Sequence, residues 1–578
     1  MSSSNPTYSL AETSRSLSQK TIVSPGRTIS KLSSVSTSVL PSHSNHSLSL
    51  SRDLGVSEAS EADTSDNQGH GYERPGHRQK DHRLKLKTEN KKLNRRTIKV
   101  FDGYKDGYNL GLWKKCMESL LIVMALVLAI QHSWQAVVQN SQFVLVCASI
   151  LATVLFLKKS YWSMPSVLYI YLFPTILTLV DYPQYLRLNL LSSLCSLPLR
   201  PEILSNLIMA ISPSTPEIYY IHANVTEIVN SLTTTSLSSA ECSLAGTLLV
   251  NLLLNAKSME MIFLRIFIFG SYFSLLPATP LIAKIMKLSR LPRHRRPANS
   301  AKLKLIYASS IYSIFLFNVL IFVRWHLHGL LGQDPFFFIF NYLFVEDGSK
   351  SRLKMLAYWI TWLIIGITFI EKSAKNWTID IRRKVWHGMV VGMFLVCGTG
   401  SDAHFTSLSL SIALTLFFLS EVLRATTIPP LGSKIHMALI KYTDERDSCG
   451  PIIVSHLFLL LGIALPIFWS SSPVGIICLG FGDACASIIG RRFGKHKWFD
   501  SPKSIEGTMA FTLAAFFGLM IAKHVIPGYL PILGEDLSDW WCLFTAASTA
   551  ILEATSGMND NVIVPVYMYI FLRFGTSK

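Results

Sequence analysis

The stretch PVGIICLGFGDACASIIGRRFGKHKWFDSPKSIEGT, residues 473–508, decides how this chain is interpreted. It begins as an apolar run, in which Asp483 stands at a depth where a membrane helix ordinarily carries no charge. An ionisable residue in such a position is costly to bury and indicates a functional site by default. A basic, glycine-containing loop follows and closes on Lys503 and Glu506. This order predicts a polyphosphate and metal site at a membrane surface.

Small residues recur every four positions along the helix predicted within this stretch. Gly482, Ala486 and Gly490 place nearly bare backbone on one helix face, so another helix or a ligand can approach closely. The adjoining face carries polar residues at the same spacing, namely Asp483, Ser487 and Arg491. The alternative is a packing face followed by an ordinary basic cytosolic loop. Positive-inside bias explains the basic loop, but it does not explain Asp483 or Glu506.

The composition indicates an all-α, polytopic membrane protein. The chain has 578 residues, of which 16% are charged, and its mean hydropathy is +0.35. Apolar runs of spanning length recur from about Met117 onward, and we expect 13–15 spanning helices. The net charge of +18 comes from basic residues in a polar tail and in short loops, which favours anionic lipid surfaces over nucleic acid as a partner. The nine cysteines form no CxxC pair, which argues against a disulfide framework or a zinc site.

Three regions are predicted. Residues 1–99 are polar and charged, and we expect a disordered cytosolic tail. Residues 100–353 are expected to form an N-terminal multi-span membrane region, and residues 354–578 a catalytic membrane domain with a nucleotide-binding segment at 479–508. The topology of residues 186–282 stays open because a proline-broken run and a polar patch at about 213–242 interrupt the pattern.

The C-terminal half gives a definite topology. Spans are predicted at about 354–370, 386–400, 404–420, 452–469, 473–490, 508–526, 540–556 and 561–575. Counting them as hairpins places four polar connections on one side, at residues 371–385, 421–451, 491–507 and 556–561. That side is the cytosol if the basic stretch 284–304 is cytosolic and the short apolar piece 335–345 does not cross.

Three further groups of polar residues fall on that face. Arg383 and Lys384 lie on the same helix face as His387, which suits phosphate binding, although an ordinary membrane anchor explains them equally well. Asp444 opens an acidic string that suits a divalent cation, with a solvated loop as the alternative. Asp560 follows Glu553 by two helical turns, so these two and the acids Asp483 and Glu506 are candidates for a metal or base cluster.

Together these strings resemble the polyprenol kinase family, and most closely its dolichol kinase branch. The matching strings are RKVWHG from Arg383, DERDSCGPIIVSHLFLLLG from Asp444, GFGDACASIIGRRFG from Gly480, KSIEGT from Lys503 and LEATSGMNDNVIVP from Leu552. Their order and spacing make the match specific, and it covers roughly the last third of the chain. The resemblance implies a CTP-dependent kinase of the endoplasmic reticulum membrane. Such an enzyme phosphorylates the hydroxyl of a long polyprenol and gives dolichyl phosphate for protein glycosylation.

The residues and the resemblance together imply specific roles. Asp483, Lys503, His387 and Asp444 are the catalytic candidates, with the base for the dolichol hydroxyl left open between His387 and Asp444. The expected Mg²⁺ ligands are Asp483, Glu506 and Asp560. Nucleotide contacts are expected from Gly480, Gly482, Ser487, Gly490, Arg491, Arg492, Gly494, Arg383 and Lys384. CTP, dolichol and the bilayer are the expected partners, and the oligomeric state is not predicted.

Other functions compete with this interpretation. A sister enzyme, such as a CTP-dependent diacylglycerol kinase, a phytol kinase or a phosphatidate cytidylyltransferase, shares much of the pattern. An ion-coupled transporter would use acids such as Asp483 and Glu553, but the chain shows no internal repeat and its charges cluster at one face rather than the midplane. A non-catalytic scaffold is the third alternative, and it would transfer no phosphate from CTP.

Overall fold

The computed structural model describes the helical part of one compact unit, Lys80–Lys578. The described residues are 111–134, 164–181, 218–233, 236–256, 258–373, 377–397, 402–443, 451–499, 501–526, 533 and 537–576. The predicted tail at residues 1–99 and the catalytic candidate Asp444 lie outside these ranges. What the sequence predicts for these residues stays a prediction.

The described part of the N-terminal region is α-helical. Its helices are α1 (Leu112–His132), α2 (Met164–Tyr171), α3 (Phe173–Asp181), α4 (Ile218–Thr233), α5 (Ser239–Asn255), α6 (Met259–Leu275), α7 (Thr279–Arg290), α8 (Ser300–Asn318), α9 (Arg324–Leu331) and α10 (Pro335–Phe340). Helix α4 and the start of α5 lie within residues 213–242, where the sequence predicted a polar patch. Helix α4 forms there because its polar side chains meet a partner: His222 is buried and its ring contacts the Thr247 hydroxyl of α5 at 3.3 Å.

The C-terminal region has helices at all eight positions where spans were predicted. Its helices are α11 (Ser349–Ser373), α12 (Ile379–Cys397), α13 (Ala403–Thr426), α14 (Leu431–Leu439), α15 (Val454–Ser470), α16 (Val474–Ile476), α17 (Ala484–Arg492), α18 (Ile505–His524), α19 (Asp539–Thr555) and α20 (Asp560–Phe574). The largest difference is at α12, which begins at Ile379 instead of near residue 386. The cationic residues Arg383 and Lys384 therefore lie within the helix rather than before it.

Six helical segments of the described chain are long and apolar enough to cross a membrane. They are Met259–Arg290, Ser300–Leu331, Ser349–Ser373, Ala403–Thr426, Val474–Arg492 and Ile505–His524. The described residues form no β-strand, since the one antiparallel bridge, between Lys497 and Ser504, is isolated. The chain is therefore an all-α, multi-pass membrane protein. The expected number of 13–15 spans stays a prediction.

One spanning segment is interrupted where the site begins. Between α16 and α17 the helix widens into a π-helical segment, Ile477–Asp483, and Asp483 is its last residue. Such π segments are rare and frequently occur at functional sites, because the added residue changes the direction in which the following side chains point. A sequence pattern read with regular α-helical spacing does not reveal this change.

The main hydrophobic core joins the two regions. Tyr169 of α2 and Tyr567 of α20 are among its largest fully buried side chains, as is Phe511 of α18. Close van der Waals packing of this kind holds helices together within a membrane, where lipid tails remove most of the hydrophobic driving force between them. The N-terminal helices therefore pack directly against the helices that carry the candidate site.

Candidate active site

Asp483 lies between two basic side chains of one helix. The Lys384 amine and the Nδ1 atom of His387 both contact its Oδ2 atom, the histidine at 2.9 Å. The two basic residues are three positions apart on α12, so they share one face of that helix. The side chain of His387 is only 3% exposed, and that of Asp483 is 12% exposed. The sequence singled out all three residues but did not predict that they meet.

The close approach of α12 to the π-helical segment depends on Gly480. A Cβ atom at this position would lie 2.1 Å from the Cγ2 atom of Val391 and 3.3 Å from the His387 carbonyl oxygen. Any larger side chain would therefore push α12 away and separate His387 from Asp483. Gly480 was predicted to contact nucleotide, and in the structure its neighbour is α12.

A second charged group forms around Lys503. Its amine lies 2.6 Å from the Oε1 atom of Glu553 and 3.7 Å from the Oδ2 atom of Asp560. Glu553 belongs to the last turn of α19, and Asp560 is the first residue of α20. One lysine from the loop before α18 therefore links the ends of two later helices. This arrangement brings together Lys503, Asp560 and Glu553, as the sequence anticipated for the two acids.

The electrostatics of Lys503 keep it positively charged. Burial of the amine alone would lower its pKa, but the negative charges of Glu553 and Asp560 act in the opposite direction and leave the pKa above its usual value. Asp483 raises the pKa of Lys503 as well, which places the two charged groups within electrostatic reach of each other. Two lysines and a histidine thus lie near three carboxylates, and these residues come from α12, the π-helical segment, the loop before α18, the end of α19 and the start of α20.

The basic loop between α17 and α18 folds back on itself. The Trp498 amide donates to the Lys503 carbonyl at 3.0 Å, and the Ile505 amide donates to the His496 carbonyl at 2.9 Å. The indole nitrogen of Trp498 donates to the Thr508 hydroxyl at 2.8 Å. Its ring also stacks on Trp113 of α1 with 5.3 Å between centroids. The loop is therefore a fixed hairpin, and it positions Lys503 beside Glu553.

Glu506, a predicted Mg²⁺ ligand, is engaged by this hairpin. Its Oε1 atom accepts hydrogen bonds from the amides of Lys495 and His496 at 3.1 and 3.0 Å, and it lies 2.7 Å from Nδ1 of His496. The described contacts therefore connect Glu506 to the loop and not to Asp483 or Asp560. Its metal role stays a prediction, whereas its role in holding the hairpin is visible in the structure.

The small-residue face predicted from the sequence packs against α18. Gly482 lies against the ring of Phe511, and Gly490 lies against Ser504 and Gly507. Gly494 also adjoins Ser504, and a Cβ atom there would lie 2.1 Å from the Gly490 carbonyl oxygen. Helix α18 thus lies on the face where a nucleotide was expected to approach. The nucleotide contacts of these glycines stay a prediction.

The remaining predicted contacts differ in accessibility. Arg491 and Arg492 are exposed at the end of α17, and Ser487 is half-buried. The Arg492 guanidinium lies over the ring of Phe493, 5.7 Å from its centroid. Arg383 is half-buried on α12. The two exposed arginines place positive charge next to the hairpin and outside the hydrophobic core.

The acidic string that begins at Asp444 lies outside the described residues, but the helices on either side of it are joined. Arg424 donates through Nε to both oxygens of Glu421 at 2.9 Å, and its Nη2 donates to the Pro451 carbonyl at 2.6 Å. Glu421 accepts from the Ile453 amide at 2.6 Å. This buried ion pair fixes the end of α13 to the start of α15.

The charged groups suit a magnesium ion by donor type. Among the described residues no three His, Cys, Asp or Glu side chains converge into a ready-made metal cage. Mg²⁺ keeps several waters and is usually held by one or two carboxylates together with substrate phosphates, so such a cage is not required. The carboxylates of Asp483 and Asp560 supply suitable oxygens.

Two buried acids from the N-terminal region were missed by sequence reasoning. Glu241 of α5 accepts a hydrogen bond from the Asn559 amide at 2.8 Å and forms a capping box with Ser238. Glu118 of α1 accepts from the Tyr169 hydroxyl at 2.9 Å and lies next to Ser556. Both acids thereby hold the loop between α19 and α20, which precedes Asp560. The signals were a Ser-x-x-Glu pattern and a carboxylate inside an apolar run.

Comparison with known proteins confirms the similarity to dolichol kinases. The chain is 38% identical to the dolichol kinase of Schizosaccharomyces pombe over 293 residues, which is 46% of this chain and 55% of that protein. It is 32% identical to the dolichol kinase of Saccharomyces cerevisiae over 256 residues, 44% of this chain and 48% of that protein. The chain thus spans about half the length of these curated relatives.

A weaker similarity reaches a second group of lipid-alcohol kinases. The chain is 28% identical to a probable chloroplastic phytol kinase of Triticum aestivum over 210 residues, 34% of this chain and 69% of that protein. No family model matches the chain. No solved structure matches it either.

Proposed function

We propose that this relative of the dolichol kinases is itself a CTP-dependent dolichol kinase. It would transfer the γ-phosphoryl group of CTP to the hydroxyl of dolichol and release CDP. The product would be dolichyl phosphate for protein glycosylation. The observation that carries the proposal is the meeting of Lys384, His387 and Asp483 beside Lys503, Glu553 and Asp560, in a chain whose curated relatives are named dolichol kinases.

The lysines and arginines provide the charge that phosphoryl transfer requires. The reaction depends mainly on positioning the reactants and on neutralising negative charge on the phosphates. Lys503 is held by Glu553 at 2.6 Å, so its amine has a fixed position. Arg491 and Arg492 are exposed at the end of α17 and would contact the outer phosphates of CTP.

The dolichol hydroxyl must lose a proton as its oxygen bonds to the γ-phosphorus. His387 and Asp444 are the two candidates for the base. His387 Nδ1 lies 2.9 Å from the Asp483 carboxylate, and a proton taken up by the ring would be stabilised by this negative charge. Asp444 offers a carboxylate on the connection between α14 and α15, and the choice between them is left to experiment.

A magnesium ion would be held by Asp483 and Asp560, with Glu506 as a further candidate. When bound, it would neutralise charge on the phosphates of CTP. Lys384 and Lys503 balance the carboxylates. Both side chains are partly exposed, 17% and 33%, so their amines would be accessible to the phosphates from the positions in which the carboxylates hold them.

The site is proposed to face the cytosol from the endoplasmic reticulum membrane. Polyanionic CTP does not cross hydrocarbon at an acceptable energetic cost, whereas a polyprenol lies in the bilayer with its hydroxyl at the interface. The charged groups lie at helix ends, at the last turn of α19, the first turn of α20 and the loop before α18. Both substrates can reach such a position.

The similarity to a phytol kinase makes another lipid alcohol the second candidate acceptor. Purified protein in detergent should be given labelled CTP or ATP together with dolichol, phytol or diacylglycerol. Phosphorylation of dolichol by CTP with at least tenfold higher kcat/KM than the other combinations supports the proposal. Preferential phosphorylation of phytol or diacylglycerol would assign a sister activity, and no transfer to any of them would favour a scaffold or transporter.

A further inference from the structure

An elongated apolar cavity lies beside the candidate site. It has a volume of about 230 Å³ and is half-open, with walls from α3, α5, α15 and α20. Apolar side chains form nearly all of its surface, among them Leu244, Leu248, Leu461 and Val566. The charged groups described above do not line it, so it is distinct from the proposed nucleotide position.

One end of the cavity adjoins the charged groups. Glu241 and Asn559 line that end, and they are joined by the 2.8 Å hydrogen bond between the Asn559 amide and the Glu241 carboxylate. Asn559 caps α20, and the next residue, Asp560, lies 3.7 Å from the Lys503 amine. The other polar lining residues, among them Asn251 and Ser258, lie further along or beyond α5.

The cavity extends away from that end along the helices. On α5 its lining runs from Glu241 to Leu252, and the rise of 1.5 Å per residue over this range gives about 16 Å. On α15 it runs from Phe458 to Trp469. Helices α15 and α20 run parallel here, since Gly462 lies against Asn561 and Trp469 lies 5.5 Å from Tyr569. The cavity thus has the shape of a slot between helices, with mostly apolar walls and with Glu241 and Asn559 at the end nearest Lys503.

We infer that this slot binds the hydroxyl-bearing end of the isoprenoid chain and delivers the hydroxyl past Asn559 to Lys503 and Asp560. The inference rests on the proposed function, because it assigns a place to the lipid alcohol. A long apolar chain with one terminal hydroxyl matches a slot of this length and polarity. The N-terminal helices α3 and α5 then take part in substrate binding, which gives the N-terminal region a role in the reaction.

Filling the slot tests the inference. The variant Leu248→Trp places a large ring in the cavity, whereas Leu254→Trp makes the same change on the same helix at a position that is 42% exposed and outside the lining. We expect Leu248→Trp to raise the KM for dolichol at least tenfold and to leave the KM for CTP within twofold. Equal behaviour of the two variants, in protein that retains activity, would overturn the inference.

A measurement on the unaltered protein covers the case in which Leu248→Trp does not fold. A polyprenol with a photoactivatable diazirine in the isoprene unit next to the hydroxyl should label α5 and α20 at lining residues such as Leu244 and Ile563, and excess dolichol should prevent the labelling. Labelling elsewhere, or labelling that dolichol does not reduce, would overturn the inference and favour an ordinary bilayer lipid in the slot. Because this measurement needs no turnover, it separates failure of the slot from failure of the proposed kinase activity.

Discussion

The Nδ1 atom of His387 lies 2.9 Å from the Oδ2 atom of Asp483. This contact joins α12 to the π-helical segment that precedes α17, and the Lys384 amine reaches the same carboxylate oxygen. A buried carboxylate with two basic partners is costly to disrupt, because removing one charge leaves the others uncompensated. The contact therefore connects the stability of this part of the site to its chemistry.

Asp483→Asn removes the charge of this carboxylate and keeps its shape. We expect at least a hundredfold loss of dolichol phosphorylation with normal accumulation in the membrane, because a metal ligand or phosphate-site charge lowers the activation barrier by several kcal/mol. Asp347→Asn, at an exposed position, is the matched control and should leave the rate unchanged. Near-normal turnover of Asp483→Asn would refute its assignment.

Lys503→Ala should act chiefly on nucleotide use. The substitution removes the cation beside Glu553 and Asp560, so we expect the KM for CTP to rise at least tenfold while the KM for dolichol changes little. Lys497→Ala removes an exposed charge from the same hairpin and serves as the control. Steady-state kinetics with each substrate varied in turn gives the answer. A higher dolichol requirement with unchanged CTP dependence would contradict the phosphate role of Lys503.

The ion pair of Glu421 and Arg424 should matter for stability. Arg424→Met leaves a buried, uncompensated carboxylate, which typically costs about 3 kcal/mol or more. We expect a lower melting temperature for this variant in a thermal-shift assay in detergent. Adding Glu421→Gln removes the unpaired charge and keeps an acceptor for the Ile453 amide, so the double variant should recover part of the loss. A double variant less stable than Arg424→Met would exclude the pair as the cause.

The sequence predicted the C-terminal helices well, because each apolar run there is bounded by charged connections. It also singled out most of the residues that form the charged groups. It could not predict that Lys384 and His387 would meet Asp483, since these residues are far apart in the chain and a regular helical pattern does not contain the π-helical segment. Contacts between distant helices depend on packing that local spacing does not encode.

The glycine pattern illustrates the same limit. Gly482 and Gly490 do mark a face that allows close approach, but spacing alone does not distinguish a helix from a ligand as the neighbour. In the structure α18 takes that place. Glu241 was overlooked for a different reason: its Ser-x-x-Glu pattern signals a helix start, and nothing local indicates its second contact with the Asn559 amide.

The sidedness of the site can be tested by labelling. Single cysteines at Arg383, Asp444, Arg492 and Asp560, in an active background without the nine native cysteines, should react with a membrane-impermeant maleimide in sealed microsomes. A cysteine at Asp402, the N-cap of α13 on the side predicted to be opposite, should react only after detergent is added. Protection of any of the four, when detergent restores its labelling, would contradict a shared cytosolic face.

The most direct test of the central claim is phosphoryl transfer by the purified protein. Detergent-solubilised protein should be incubated with CTP labelled at the γ-phosphate, dolichol and Mg²⁺, with Asp483→Asn as the inactive control. We predict labelled dolichyl phosphate from the unaltered protein, little product when ATP replaces CTP, and at least a hundredfold less product from the variant. No labelled lipid above the Asp483→Asn background, from protein shown to be folded, would contradict the account.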